Sequence, residues 1–235
     1  RRLPAGAAVR LVGTPVRREL LGVDPREARA HHGIEPGAPV LALVGGSQGA
    51  QALNEALAEA LPLLARSVPG LRVLWACGPL NLRTAEQALR ERGLDDVARV
   101  FDYVNDMGRF YAAADLVASR AGASTLAELA ALGKPSILVP YPHAKDNHQA
   151  ENAQELAGVG AAEVIDEAAL TGASLAEAVA GILGSRPRLD AMAAAARGLS
   201  TVDAAAAIAS ALMDDPRATD NPAPARSPLR RQQPA

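Results

Sequence analysis

Six short apolar runs, separated by helix-length stretches, occupy residues 40–166, and few folds accept that pattern. The runs are VLALV (40–44), RVLWAC (72–77), VARVFDYV (97–104), DLVAS (115–119), SILVP (136–140) and AEVI (162–165). Their nearly continuous apolar character marks strands covered on both faces. Helical stretches fall between them at about 50–66, 81–92, 106–113, 124–132 and 147–157. Parallel pairing requires such a crossover, whereas an antiparallel pair needs only a turn. The expected fold is therefore α/β, a Rossmann-like doubly wound parallel sheet, since six runs are too few for an eightfold barrel.

The flanks add less. VRLVG (9–13) reads as a short strand stopped at Thr14-Pro15, and 25–32 as a charged helix closed by Gly33. Two further helices are expected at 174–184 and 188–213, the second rich in alanine. The segment from Pro216 onward holds five of the 17 prolines and no aromatic residue. It has too little apolar area to offset its ordering entropy and is expected to be disordered.

Composition excludes several classes. With 49% apolar residues the 235-residue chain can build a core, and at roughly 150 residues per domain it holds one or two domains. A net charge of −2 gives no reason to expect nucleic acid or anionic lipid as a bulk partner. No apolar run reaches the ~20 residues of a membrane span, and RRLPAGAAVRLVG reads poorly as a secretory signal. A single cysteine, Cys77, allows no internal disulfide and lies in an apolar run, so it reads as a core residue. The expectation is a soluble, cytoplasmic globular protein.

In a doubly wound sheet, ligands bind beyond the carboxyl ends of the strands. Three junctions there are chemically loaded. Gly45-Gly46-Ser47-Gln48-Gly49-Ala50 follows the first run; its glycines would let backbone approach a phosphate, or it is an ordinary βα turn. It is neither a Walker loop nor GxGxxG. Arg120 to Glu128 opens a helix with Ser124 or Thr125 as its cap. Glu128 would accept both hydroxyls of a ribose, or it closes a capping box. The third junction, Tyr141 to Asn152, crowds polar side chains at a helix start, with His148 and Asn152 on one face. Its amides and imidazole suit sugar hydroxyls. Metal binding by His143, Asp146 and His148 matches no standard spacing, and no metal is expected. Arg17 follows a proline turn from which a guanidinium reaches phosphate or hydroxyl groups. His31-His32 reads as solvated.

In their order, GTPVR (13–17), GGSQGAQALN (45–54), FDYVNDM (101–107), the block 119–153 and GAAEVI (160–165) resemble the MurG-type N-acetylglucosaminyltransferases of peptidoglycan synthesis, in glycosyltransferase family 28. The resemblance covers about residues 9–213. It implies an inverting GT-B enzyme needing neither metal nor cofactor. Such an enzyme moves N-acetylglucosamine from UDP-GlcNAc to the muramoyl 4-hydroxyl of lipid I (undecaprenyl-pyrophosphoryl-MurNAc-pentapeptide), giving lipid II. Carried over by motif, Ser47 and Gln48 hold the diphosphate, and Val104 meets uracil through its main chain, with Tyr103 and Met107 beside it. Ala123, Ser124 and Thr125 face the phosphates, and Glu128 binds the ribose. His148, Gln149 and Asn152 contact the sugar, with Arg17 nearby. The resemblance places the full enzyme peripherally on the cytoplasmic face of the plasma membrane.

The family also carries a glycine-rich GGTGGH-like loop in an N-terminal acceptor domain, and nothing like it precedes residue 9. The chain therefore reads as a linker stub (1–15), a donor-binding domain (16–213) and a tail (214–235). Its catalytic group is unassigned, and it is expected to bind donor without transferring sugar. The alternatives are a UDP-GlcNAc 2-epimerase, which needs paired carboxylates beyond Glu128 and Glu151, and a non-catalytic UDP-sugar-binding module. A dinucleotide oxidoreductase would want GxGxxG.

Overall fold

The computed structural model describes residues 12–200 and 204–213. Its centre is a six-stranded parallel sheet: β1 (Val40–Val44), β2 (Arg72–Ala76), β3 (Ala98–Phe101), β4 (Leu116–Ser119), β5 (Ser136–Leu138) and β6 (Ala162–Val164). The strand order is β3-β2-β1-β4-β5-β6, with Val44 beside Ala76 on one side and Ser119 on the other. This is the doubly wound arrangement expected from the alternating runs. The helices are α1 (Pro25–His31), α2 (Gln51–Ser67), α3 (Leu82–Arg92), α4 (Met107–Ala113), α5 (Ala123–Leu132), α6 (His148–Gly158), α7 (Gly172–Leu183), α8 (Arg186–Gly198) and α9 (Ala204–Met213).

Both faces of the sheet are covered, as the run composition requires. Leu41 and Leu43 point into a core shared with Leu53, Leu57 and Leu61 of α2 and with Val179 and Ile182 of α7. Val40, Ala42 and Val44, from the alternate positions of the same strand, join Phe110 of α4, Leu129 of α5 and Leu156 of α6 on the other face. At the amino ends of the strands, Asp115 accepts from the Val40 N–H at 2.9 Å and pairs with Arg29 at 2.7 Å, locking α1 beneath the sheet.

Several boundaries differ from expectation for local reasons. The 97–104 run yields a strand only to Phe101, because the Asp102 carboxylate accepts the Tyr103 N–H at 2.7 Å and turns the chain away. Pro140 offers no N–H, and β5 ends at Leu138. The helix expected at 174–184 begins at Gly172, where Thr171 and Ser174 form a reciprocal cap. The helix expected at 188–213 begins at Arg186, since proline is tolerated in a first turn, and stops at Gly198. Val12 and Gly13 belong to no strand, and residues 9–11 of that expected strand lie outside the described residues, as does the tail from 214.

Candidate functional site

The strand order reverses between β1 and β4, so their following helices leave to opposite faces and open a crevice at the carboxyl edge. A cleft of about 710 Å³ lies there, lined by Gly45, Gly46, Arg120, Thr125, Tyr141 and Gln149 among others. Its floor is the loop after β1. A Cβ on Gly45 would sit 2.7 Å from the Gly49 carbonyl carbon, and one on Gly49, at φ +76°, would be driven into the Cys77 carbonyl oxygen. Gly78, at φ +87°, abuts the backbone of Gln48 and Gly49 in return. Ser47 and Gln48 form the exposed tip.

Asn54 fixes this loop from beneath. It is buried, its Nδ2 donates to the Cys77 carbonyl at 2.9 Å, and its Oδ1 accepts the Trp75 indole N–H at 2.8 Å. Truncation would leave an indole donor and part of a carbonyl's bonding without partners in the core. Asn54→Ala is expected to cost about 2–3 kcal/mol in urea unfolding; a loss no larger than that of an exposed Gln87→Ala would show that the bridge is dispensable.

The opposite wall is the start of α5. Its N-cap is Gly122, with no side-chain cap, so neither Ser124 nor Thr125 plays the capping role expected of it. The first N–H groups, at Ala123, Ser124 and Thr125, have no intrahelical acceptor. Glu128 lies too deep in the helix to reach back in a capping box, which requires the third helical position. Its carboxylate instead meets Arg17, with Nη2 3.5 Å from Oε1. Burial raises the Glu128 pKa from its ordinary value, and the Arg17 charge pulls it partly back.

Arg17 also borders a second cleft with Glu19, Asn105 and Met107, and so joins the two regions. Val104 and Met107 are half-buried against the Phe110 core, while Tyr103 is exposed at the end of β3. On the third junction the chain passes through left-handed conformations at Asp146 (φ 55°) and Asn147 (φ 54°) before α6. Non-glycine residues held there mark a turn that the surrounding structure dictates. His148 Nδ1 lies 2.6 Å from the Lys145 carbonyl oxygen, with the ring exposed. Gln149 Oε1 accepts the Tyr141 N–H at 3.0 Å, and Asn152 Nδ2 donates to the Ala121 carbonyl at 3.1 Å. The two amides tie α6 to the walls of the cleft, with Gln149 lining it.

Reasoning from sequence gave no role to Arg120, Tyr141 or Glu167. Arg120 closes β4 with its side chain largely buried, donating to the carbonyls of Val139 at 3.2 Å and Pro140 at 3.3 Å. It pairs with Glu167 and lies 5.5 Å from the Tyr141 ring centroid. A charged residue directly after a buried apolar run was the signal available. His32 corrects another expectation: it is half-buried, edge-on to Phe101 at 5.8 Å, and burial pushes its pKa down to about 4. Cys77 is fully buried, and burial pushes its thiol up to about 11. Among the described residues no group of three or more His, Cys, Asp or Glu is placed to hold a metal, and no helix is long and apolar enough to cross a membrane.

Residues 40–208 match the glycosyltransferase family 28 C-terminal domain. The UDP-N-acetylglucosamine–N-acetylmuramyl-(pentapeptide) pyrophosphoryl-undecaprenol N-acetylglucosamine transferase of Anaeromyxobacter dehalogenans (strain 2CP-C) is 43% identical over 203 residues, covering 86% of this chain and 51% of its own. The crystal structure of Acinetobacter baumannii MurG superposes with a TM-score of 0.72 at 30% identity, covering 89% of this chain and 57% of that one. WaaG, a glycosyltransferase involved in lipopolysaccharide biosynthesis, shares the fold at a TM-score of 0.63 and 21% identity, over 86% of this chain and 55% of its own. The chain thus spans about half the length of the curated relatives it matches. It belongs to glycosyltransferase family 28, whose C-terminal domain it carries.

Proposed function

We propose that this chain binds UDP-N-acetylglucosamine as the donor half of an inverting transferase that converts lipid I to lipid II. The observation that carries this reading is the start of α5: uncapped N–H groups and a fixed Arg120 face a cleft floored by a close-packed glycine loop, with Glu128 about one turn further in. A helix N-terminus offsets the charge that develops on departing UDP. Ser47 and Gln48 close over the diphosphate, and Glu128 accepts the ribose hydroxyls. Val104 meets uracil beside Tyr103 and Met107, and Gln149, His148 and Asn152 face the sugar, with Arg17 at the ribose. The acceptor site and the general base belong, on this reading, to the part of the relatives that the chain does not span. Peripheral membrane association on the cytoplasmic side belongs to that whole enzyme.

The epimerase reading is less well supported. Two further carboxylates line the cleft, but Glu167 is held by Arg120 and Glu55 accepts from Gln51 at 2.8 Å. Neither stands as the free partner that an acid/base pair requires.

Calorimetric titration tests the proposal. UDP-GlcNAc and UDP are expected to bind, with ADP-glucose and NAD weaker by at least about tenfold, which is roughly 1.4 kcal/mol of selectivity. Selective binding of NAD would overturn it. Added to lipid I, the purified chain is expected to hold UDP-GlcNAc without transferring the sugar; formation of N-acetylmannosamine or UDP-ManNAc would favour the epimerase.

A further inference from the structure

The cleft beside the start of α5 is short of free positive charge. Among the described residues that line it, Arg120 is the one cation, against the carboxylates of Glu55 and Glu167. Glu55 accepts from Gln51, and Glu167 pairs with Arg120. That pair is shielded, with 14% of the Arg120 side chain and 24% of the Glu167 side chain exposed. Arg120 Nη1 donates to the carbonyls of Val139 at 3.2 Å and Pro140 at 3.3 Å, and its Cζ lies 5.5 Å from the Tyr141 ring centroid. Arg120 follows β4, Val139 and Pro140 follow β5, and Glu167 comes after β6, so one guanidinium ties together the carboxyl ends of three adjacent strands.

We propose that Glu167 is a positioning residue that holds the Arg120 guanidinium in the cleft wall and off the diphosphate, and that it thereby makes the pocket prefer a sugar-bearing diphosphate to bare UDP. The inference rests on the donor reading. Stability alone is a poor reason for such a pair, because desolvation takes back much of the attraction and apolar side chains would join the strands as well. Its place gives it a different consequence. The pair cancels the cation that stands in the same cleft as the unpaired N–H groups of α5, and it sets a carboxylate there as well.

The two nucleotides differ in charge. The terminal phosphate of UDP ionises a second time at about pH 6, so at neutral pH UDP carries about one negative charge more than its sugar ester. A free guanidinium would favour UDP, since it pairs with phosphate oxygens bidentately and gains with each added charge. Held by Glu167, Arg120 offers no net charge, and the diphosphate is met by helix N–H groups that serve both nucleotides alike. The Glu167 carboxylate also repels the more charged ligand more. The sugar gains what bare UDP lacks. Arg120 fixes the carbonyls just before Tyr141, and the Tyr141 N–H donates to Gln149 Oε1 at 3.0 Å, so the same bracket steadies the amide that faces the sugar on this reading.

The test compares Glu167→Gln with the parent chain. The amide keeps the side chain's length and an oxygen for the guanidinium but removes the charge, and folding is checked by circular dichroism. UDP and UDP-GlcNAc are titrated by calorimetry, and the Arg120 guanidinium is followed by NMR. Glu167→Gln is expected to tighten UDP about fivefold, to change UDP-GlcNAc less than about twofold, and to lose that gain as salt rises from about 0.05 to 0.5 M. Saturating UDP should shift the Arg120 resonances further in the variant than in the parent. Equal changes for the two nucleotides, weaker UDP, a gain that salt does not remove, or equal shifts at Arg120 would overturn the proposal; a merely structural role would weaken both ligands together. If neither protein binds either nucleotide, the donor reading falls by itself. The ligand-free spectra then decide separately: Arg120 resonances that move in Glu167→Gln towards those of the exposed Arg83 support the hold by Glu167, and unmoved ones refute it. Should Glu167→Gln fail to fold, the parent chain is read instead: the proposal requires it to bind UDP-GlcNAc more tightly than UDP, and the reverse order overturns it.

Discussion

Gly49→Ala is expected to cost about 3–4 kcal/mol of stability and to weaken UDP at least about tenfold, although it adds only one methyl group. Two penalties add. At φ +76° a side chain strains the backbone, and the new Cβ is driven into the Cys77 carbonyl, which already accepts from Asn54 and Asn81. The loop cannot retreat, because Gly78 and the start of α2 close on it from the other sides. Gly93→Ala is the control. It has a comparable left-handed conformation, φ +63°, at the end of α3, with nothing within 4 Å of the new methyl. It should cost about 1 kcal/mol and leave binding unchanged. Equal losses in urea unfolding would mean that close backbone approach is not what the loop demands.

That comparison shows which part of the fold sequence could reveal. The glycine pattern at 45–49 announces a βα junction, but not that Gly49 touches the end of β2, a contact between segments distant in sequence. The apolar runs predicted the layers well because burial on both faces leaves a local mark: Leu41 and Leu43 enter one core, Val40 and Ala42 the other. Errors arose where a side chain redirects the backbone. Val104 prolonged the apolar run, but the carboxylate of Asp102 ends β3 early. The alanines of 188–213 favour a helix at almost every position and conceal the stop at Gly198.

The candidate site was legible in outline for a related reason. Polar groups at strand ends and helix starts sit at predictable places in a doubly wound sheet, and the three junctions follow β1, β4 and β5 at its carboxyl edge. Their internal wiring was not. Ser124 and Thr125 are sensible caps in isolation, yet Gly122 supplies the N-cap and leaves their N–H groups to the cleft. Gln149 and Asn152 look like sugar ligands, but each already spends one hydrogen bond on the walls, at Tyr141 and Ala121.

Glu128→Ala separates the two roles that spacing left open. Were Glu128 a helix cap, its loss would fall on stability, about 1 kcal/mol, and spare binding. The structure implies the reverse. Burial holds the Glu128 pKa above its ordinary value, so the fold disfavours the ionised form. With a raised carboxyl pKa, the penalty is fully present above the folded pKa and vanishes as pH falls below the unfolded value. Removing the side chain therefore relieves a cost at pH 8 that is absent at pH 4, which offsets the lost Arg17 pair. The expected change in stability at pH 8 is below about 1 kcal/mol, more favourable to the variant than at pH 4. Binding should suffer far more. Two hydrogen bonds from a diol to a shielded carboxylate are worth about 3 kcal/mol together, so UDP should weaken about 100-fold while 2′-deoxy-UDP loses less. Parallel calorimetry and urea unfolding read both effects. A stability loss with intact UDP affinity would return Glu128 to the structural role. The opposite result would mean that this fold keeps a half-buried carboxylate at some cost to its own stability because the ribose needs it.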